Sequence, residues 1–327
     1  MLKMLSFDEI GLIPASISSI SSRKNVDPFT EDGKLPIFVA PMTCIINNNN
    51  FKTFNGSRVI PIRPVCTIPG GNKVMLTHDN AWQAMTLDDF QSIFVDNRHI
   101  IQEYINYHIL IDCASGAMQR VFDLVHTAKQ HHSNLTVMTG NIANPKTYLK
   151  CCEAGIDYVR VGVGGGLGCL TSVLTGFHAS LPWLITECNR LYWNDNCPFK
   201  TKIVADGGIN SIDKAIKALA LGADYVMMGM TFAKCREACG RLQTGQKVYY
   251  GQSSVLGQID RFGFVKGHIE GCVVNIEEEY TLKEYNEKFE EVLRSAMSYA
   301  ASDTLNTFIG NVCYEEQSIH EFNCYNK

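Results

Sequence analysis

Eight short apolar runs, alternating with segments of helical spacing, constrain this chain most. They are LPIFVAPM (35–42), SRVIPI (57–62), QSIFVD (91–96), YHILIDCASG (107–116), LTVMTGN (135–141), DYVRVGVGGG (157–166), KIVADGGI (202–209) and DYVMMGM (224–230). Most are continuous Val/Ile/Met stretches, the pattern of parallel strands buried on both faces. Between them, AMQRVFDLVHTAKQ (117–130), NPKTYLKCCEAG (144–155) and SIDKAIKALALGA (211–223) have helical spacing. In the last, Ile212, Ala215, Ile216 and Leu219 make one apolar stripe, and Ser211 is a plausible N-cap. Eight β/α units predict a closed TIM (β/α)8 barrel over an open doubly wound sheet. A barrel takes ~250 residues, so the 327 residues read as one domain, 1–327. An N-terminal extension (1–34) and a helical tail (about 276–327) flank the barrel. Within the tail, LKEYNEKFEEVLRSAMSYA (282–300) reads as a charged helix packing on the barrel wall or on a neighbouring subunit.

Composition excludes several classes. Charged residues make up 19% and the formal net charge is -4, which argues against a nucleic-acid-binding surface. No run of 18 apolar residues exists, so no membrane span is expected. The 13 cysteines include no C-x-x-C pair, which argues against structural zinc. MLKMLSFDEIGL carries charge where a signal peptide needs an apolar run, so free thiols and a cytoplasmic location are expected. Most of the cysteines read as small buried apolar residues. The polar run Asn47–Asn50 is a loop without assigned chemistry.

Function in a barrel sits where the strands end. The most distinctive such end is VGVGGGLGCLTS (161–172), with glycines at 162, 164, 165, 166 and 168, then Cys169 and Thr171. Glycines allow backbone amides and carbonyls to converge on a ligand, and a cysteine beyond them is placed like a nucleophile. A flexible loop with a buried cysteine is the alternative. ADGGI (205–209) puts Asp206 at another strand end, suited to accept from ribose hydroxyls or to cap a helix. Gly229, in MMGM (227–230), is placed to offer its amide to a phosphate. YYGQSS (249–254) is a polar turn of similar potential.

These motifs occur in the order found in IMP dehydrogenases and GMP reductases. LSFDEIGLIPA (5–15) resembles the opening of both, and ISSRKNVD (20–27) is more similar to the reductases. The resemblance continues through APM, D-x-A-x-G at 112–116, TGN, the glycine loop with its cysteine, ADGG, VMMG, YYG, EG at 270–271 and LRSAMSYAASDTL at 293–305. It is weak over residues 43–106. It implies a purine nucleoside monophosphate substrate, whose C2 is attacked by Cys169 to give a thioimidate, and a hydride exchanged with a nicotinamide cofactor. Thr171 and Glu270 would handle the ammonia or water. Met42, Gly168, Asp206, Gly208, Gly229, Tyr249, Gly251, Gln252 and Ser253 would contact the nucleotide. Asp112, Ala114, Gly116 and Asn141 match positions beside the cofactor and the reacting base. Carbonyls of Gly164, Gly166 and Cys169 resemble a monovalent-cation loop for potassium, and a homotetramer is implied.

Dehydrogenases of this kind usually carry paired CBS modules, for which this chain has no room. They also carry a mobile flap with an Arg-Tyr pair that activates water. Only QSSVLGQIDRFGFVKGHI (252–269) separates YYG from EG, although Asp260-Arg261-Phe262 faintly echoes that flap and Arg160 is dehydrogenase-like. The favoured expectation is therefore NADPH-dependent reduction of GMP, or a related guanylate, to IMP and ammonia. An NAD-dependent IMP dehydrogenase and a catalytically inactive nucleotide-binding homologue are the alternatives. Four departures from the family pattern stand out. Leu167 replaces a phosphate-binding serine, Met-Asp-Thr reads Met42-Thr43-Cys44, Gln252 replaces a methionine, and Cys-Thr-Thr-Arg reads Cys169-Leu170-Thr171-Ser172. Together they imply an altered nucleotide preference or a weakened phosphate site.

Overall fold

The computed structural model describes residues 5–65, 76, 80–113, 115–166, 168–194, 200–243 and 245–317. Eight parallel strands form a closed barrel: β1 (Ile37–Val39), β2 (Ile60–Arg63), β3 (Trp82–Met85), β4 (Tyr107–Ile111), β5 (Leu135–Ile142), β6 (Tyr158–Val161), β7 (Lys202–Asp206) and β8 (Tyr225–Met228). Each pairs with the next, and β8 returns to β1 with Val226 opposite Ile37. The wall includes helices α1 (Gln119–His131), α2 (Pro145–Ala154), α3 (Leu181–Asn194) and α4 (Ile212–Ala220). Asn144 caps α2 by accepting from the Lys146 amide at 3.0 Å, and Pro145 follows at the first helical position. In α4, Ala215, Ile216 and Leu219 are buried. Ser211 holds the N-cap position there, but its hydroxyl donates to the Asp213 carboxylate at 2.5 Å.

One expected strand is corrected. Residues 91–96 are not the third strand; they continue a helix that starts at Leu87, in wider π-type turns over Gln91–Asp96. Thr86 starts this helix, its hydroxyl oxygen accepting from the Asp89 amide at 3.1 Å. Phe90 and Phe94, four residues apart, then share one buried face with ring centroids 5.2 Å apart. The third strand is instead the shorter Trp82–Met85.

Side chains two apart on a strand point the same way, and here one inward series on each of several strands carries both structure and site. At the strand starts, Phe38, Trp82, Tyr158 and Tyr225 meet inside the barrel. Phe38–Trp82 and Trp82–Tyr158 are edge-on at 5.4 and 5.2 Å, and Phe38–Tyr225 is tilted at 5.1 Å. Lys202 lays its ammonium 5.3 Å from the Tyr158 ring. Continuing along the same strands, Tyr158 leads to Arg160, Lys202 to Asp206, Tyr225 to Met227 and Gly229, and Phe38 to Ala40 and Met42. The aromatic layer thus fills the N-terminal end and leaves the opposite end to polar groups.

The flanking segments close on each other. Ile10–Leu12 pairs antiparallel with Tyr314–Glu316. After the barrel, Leu242–Gln243, Gln246–Tyr250 and Val273–Ile276 form an antiparallel sheet, whose excursion contains α5 (Val255–Phe262). Helix α6 (Leu282–Tyr299) begins with a reciprocal Thr281–Glu284 capping box, buries Phe289, Leu293 and Met297, and lies against α4. No helix among the described residues is long and apolar enough to cross a membrane.

Candidate active site at the C-terminal mouth

The glycine loop after β6 and the excursion after Tyr250 are held together by backbone pairing. Leu170 donates to the Glu270 carbonyl at 2.7 Å, Cys272 donates to the Gly168 carbonyl at 3.1 Å, and Cys169 and Gly271 form an antiparallel bridge. Gly168 and Gly251 make this approach possible: a β-carbon on Gly251 would stand 2.5 Å from the Gly168 carbonyl oxygen. The pairing brings three side chains into line. Cys169 Sγ donates to Thr171 Oγ1 at 3.3 Å, and Thr171 Oγ1 donates to Glu270 Oε2 at 2.7 Å. Glu270 lies 99 residues after Thr171 in sequence, so only this strand-like return unites them.

Cys169 is half-buried, whereas Cys44, Cys151, Cys152, Cys188 and Cys235 are buried. Burial pushes the Cys44 and Cys235 thiols up to about 12, and those of Cys151 and Cys188 up as well. These four are packing residues with no accessible thiolate.

A second cluster lies inside the barrel mouth. Arg160, two residues beyond Tyr158 and with its side chain 8% exposed, reaches Asp112 at 3.2 Å and stands 3.8 Å from Asp206. Asn141 donates to Asp206 at 2.9 Å. From α5, Arg261 reaches the other Asp112 oxygen at 3.0 Å. Two guanidinium groups thus offset two carboxylates in a nearly enclosed space. Burial still raises the Asp206 carboxyl above the usual aspartate range, against the lowering effects of Arg160 and Asn141. Asp112 Oδ2, though buried, accepts no hydrogen bond of good geometry and keeps capacity for one.

Helix α5 is fastened across the mouth. Ser254 caps it through the Gly257 amide at 3.1 Å. Asp260 accepts from Thr43 at 2.9 Å, Tyr250 at 2.5 Å and Arg241 at 2.6 Å. Buried Gln258 accepts from the Lys266 and Gly267 amides at 2.8 and 2.9 Å, ordering the loop that follows. Thr43, one of the departures, thus belongs to the α5 anchor.

Beside the relay is a cavity of about 300 Å³ lined by Ala40, Met42, Gly165, Gly166, Asp206 and Gly207, and further by Gly208, Asn210, Lys214, Gly229 and Tyr249. Six of the expected site residues meet here: Met42, Gly166, Asp206, Gly208, Gly229 and Tyr249. Tyr249 approaches the Met42 sulfur at 3.6 Å. Gly168, Gly251 and Ser253 serve the backbone junction under Cys169 instead, and the Gln252 amide donates to the Pro41 carbonyl. Gly116 packs on Gly140 beside Asn141, and its amide donates to the Asn141 carbonyl at 3.1 Å. Ala114 and Leu167 lie outside the described residues. The Gly164 carbonyl accepts from Ser172 at 3.3 Å, and the Gly166 carbonyl accepts from the Cys169 amide at 2.9 Å. Among the described residues, no group of three or more His, Cys, Asp or Glu could hold a metal ion. Lys214 and Asn210 at the cavity, and Gln258 within α5, were not singled out by motif.

A (β/α)8 barrel with a thiol–hydroxyl–carboxyl relay beside a glycine-lined cavity belongs to the barrels whose mouths are suited to nucleophilic chemistry. The IMP dehydrogenase / GMP reductase domain matches residues 95–321, and the chain belongs to that family of purine nucleotide oxidoreductases. It is 28% identical to a GMP reductase of Helicobacter pylori (strain ATCC 700392 / 26695), over 93% of each chain. It is also 28% identical to a GMP reductase of Bacillus subtilis (strain 168), over 95% of each. An inosine-5'-monophosphate dehydrogenase of Chlorobaculum parvum is 38% identical over 45% of this chain and 30% of its own length.

Proposed function

We propose that the protein is a GMP reductase-like enzyme that converts GMP, or a related guanylate, to IMP and ammonia. The observation that carries this reading is the Cys169–Thr171–Glu270 line of hydrogen bonds. The Cys169 sulfur adds to C2 of the purine as its proton passes through Thr171 to Glu270. The 2-amino group leaves as ammonia after receiving a proton relayed from Glu270 through Thr171, and a thioimidate links C2 to sulfur. A bound NADPH supplies the hydride that C2 takes up. Return of the C2–S bonding electrons to sulfur releases IMP and leaves a thiolate, which takes up a proton from solvent to restore the thiol. Asp206 would accept from the ribose hydroxyls, and Gly208, Gly229 and Tyr249 would border the phosphate. Asp112, whose Oδ2 meets Arg261 but accepts no hydrogen bond of good geometry, fits a hydroxyl donor of the cofactor, beside Gly116, Asn141 and the chain segment at Ala114. The Gly164 and Gly166 carbonyls each keep a second lone pair beyond the bond they accept, which fits carbonyl ligation of potassium at the Gly164, Gly166 and Cys169 loop.

Arg261 favours reduction over dehydrogenation. The dehydrogenase flap needs an arginine free to meet water and a tyrosine beside it, whereas the Arg261 guanidinium is held on Asp112 at 3.0 Å. Phe262, beside it, has no hydroxyl. The family resemblance also supports a single barrel domain, a homotetramer and a cytoplasmic setting as parts of this reading. The test is direct. GMP with NADPH should lower absorbance at 340 nm and release ammonia in equal amount. If IMP with NAD raises that absorbance while GMP with NADPH does nothing, the direction is reversed. If neither changes it, the enzymatic reading falls.

A further inference from the structure

Of the described residues lining the cavity, Lys214 is the one that carries a positive charge, and none carries a serine or threonine hydroxyl. Leu167 stands where the family pattern has a phosphate-binding serine, and leucine offers no donor. Lys214 is the third residue of α4, in its first turn, where the helix dipole disfavours a cation. Its side chain, 22% exposed, pairs at 3.2 Å with Asp8, a 44% exposed carboxylate from the N-terminal segment. Such a half-exposed pair contributes little and exchanges readily. By contrast, the cavity offers an anion glycine backbone at 165, 166, 207, 208 and 229 together with this lysine.

We infer that Lys214 is the cationic contact for the phosphate of the nucleotide, supplying by charge what Leu167 cannot supply by hydrogen bonding, and that Asp8 competes for it. This rests on the reading that a nucleoside monophosphate enters the cavity. It makes phosphate recognition electrostatic, hence sensitive to salt and to residue 8.

Calorimetric titration of the full-length protein with GMP, guanosine and ribose 5-phosphate tests the assignment. Lys214→Gln should weaken GMP and ribose 5-phosphate tenfold or more and leave guanosine within about twofold. Lys214→Arg should retain most of the affinity. Asp8→Asn should tighten both phosphorylated ligands severalfold. The fall in GMP affinity between 50 and 300 mM salt (~8 Å screening near 0.15 M) should be steep for the wild type and shallow for Lys214→Gln. Unchanged GMP binding in Lys214→Gln, or equal losses for GMP and guanosine, would overturn the inference. If ribose 5-phosphate binds through Lys214 while neither GMP nor IMP binds, the inference stands and the proposed function does not. If wild-type protein binds none of the phosphorylated ligands, both fall.

Discussion

At the N-terminal end of the barrel, Phe38, Trp82, Tyr158 and Tyr225 fill the interior and satisfy one another through ring contacts. At the C-terminal end, β6, β8 and β1 lead to Arg160, Gly229 and Met42 and neighbouring β7 adds Asp206, groups that leave a cavity and hold opposing charges. The first end is held by ring contacts, and each aromatic pair adds about 0.5–1.5 kcal/mol to the area it buries. The second carries costs that packing does not explain, including a raised Asp206 carboxyl and a buried Arg160 Nε without a hydrogen-bond partner. Stability and function are thus separated along the barrel axis, although both ends are built from one inward series per strand.

Substitutions can break that separation or sharpen it. The largest expected effect is at the mouth: Cys169→Ala should lower kcat on the order of 10⁴–10⁶-fold with an unchanged unfolding midpoint, read by paired assays at 340 nm and urea titrations. Next is the opposite end. Trp82→Ala should cost about 3–5 kcal/mol of stability while kcat per folded molecule stays near wild type. A matching loss of turnover in the folded fraction would show that the aromatic layer positions the mouth after all. Smaller again, Glu270→Gln should lower kcat about 10²–10³-fold with KM for GMP little changed, because Gln keeps the Thr171 hydrogen bond but cannot take up or return the proton. An equal rise in KM would place Glu270 in binding rather than proton transfer.

Legibility differed between the same two ends. Seven barrel strands were visible because continuous apolar runs report burial on both faces. The third was missed because Trp82–Met85 is short and contains a glutamine, while QSIFVD looks strand-like in composition. Thr86 with Asp89 three residues on was the signal that this run belongs to a helix. The Cys169–Thr171–Glu270 grouping followed from family motifs, not from spacing, since a separation of 99 residues carries no local signal. Arg261 on Asp112 and Asp260 under Thr43 were hidden for the same reason: ion pairs and hydrogen bonds across elements leave no periodicity. Lys214 had a faint local mark, a cation in a helix's first turn, which the dipole makes unfavourable without an anion nearby.

Asp206 offers the most discriminating small effect, because there the two ends should differ in their response to pH. Burial raises its folded-state pKa above the ordinary aspartate value. The folded protein therefore holds this proton more tightly than the unfolded chain. That contribution to stability is complete below the unfolded pKa and is lost as pH rises through the folded value. An Asp206→Asn substitution removes the titrating group and with it this dependence. The variant should gain stability relative to wild type as pH is raised from about 4 towards 8, reach a plateau, and lose affinity for GMP if Asp206 accepts from the ribose. Thermal unfolding of both proteins across that range isolates the difference, since all other titrations are shared. Trp82→Ala, by contrast, should show a deficit independent of pH. A flat difference for Asp206→Asn would mean that Arg160 and Asn141 offset the burial of the carboxylate completely, and that cost of the mouth would vanish.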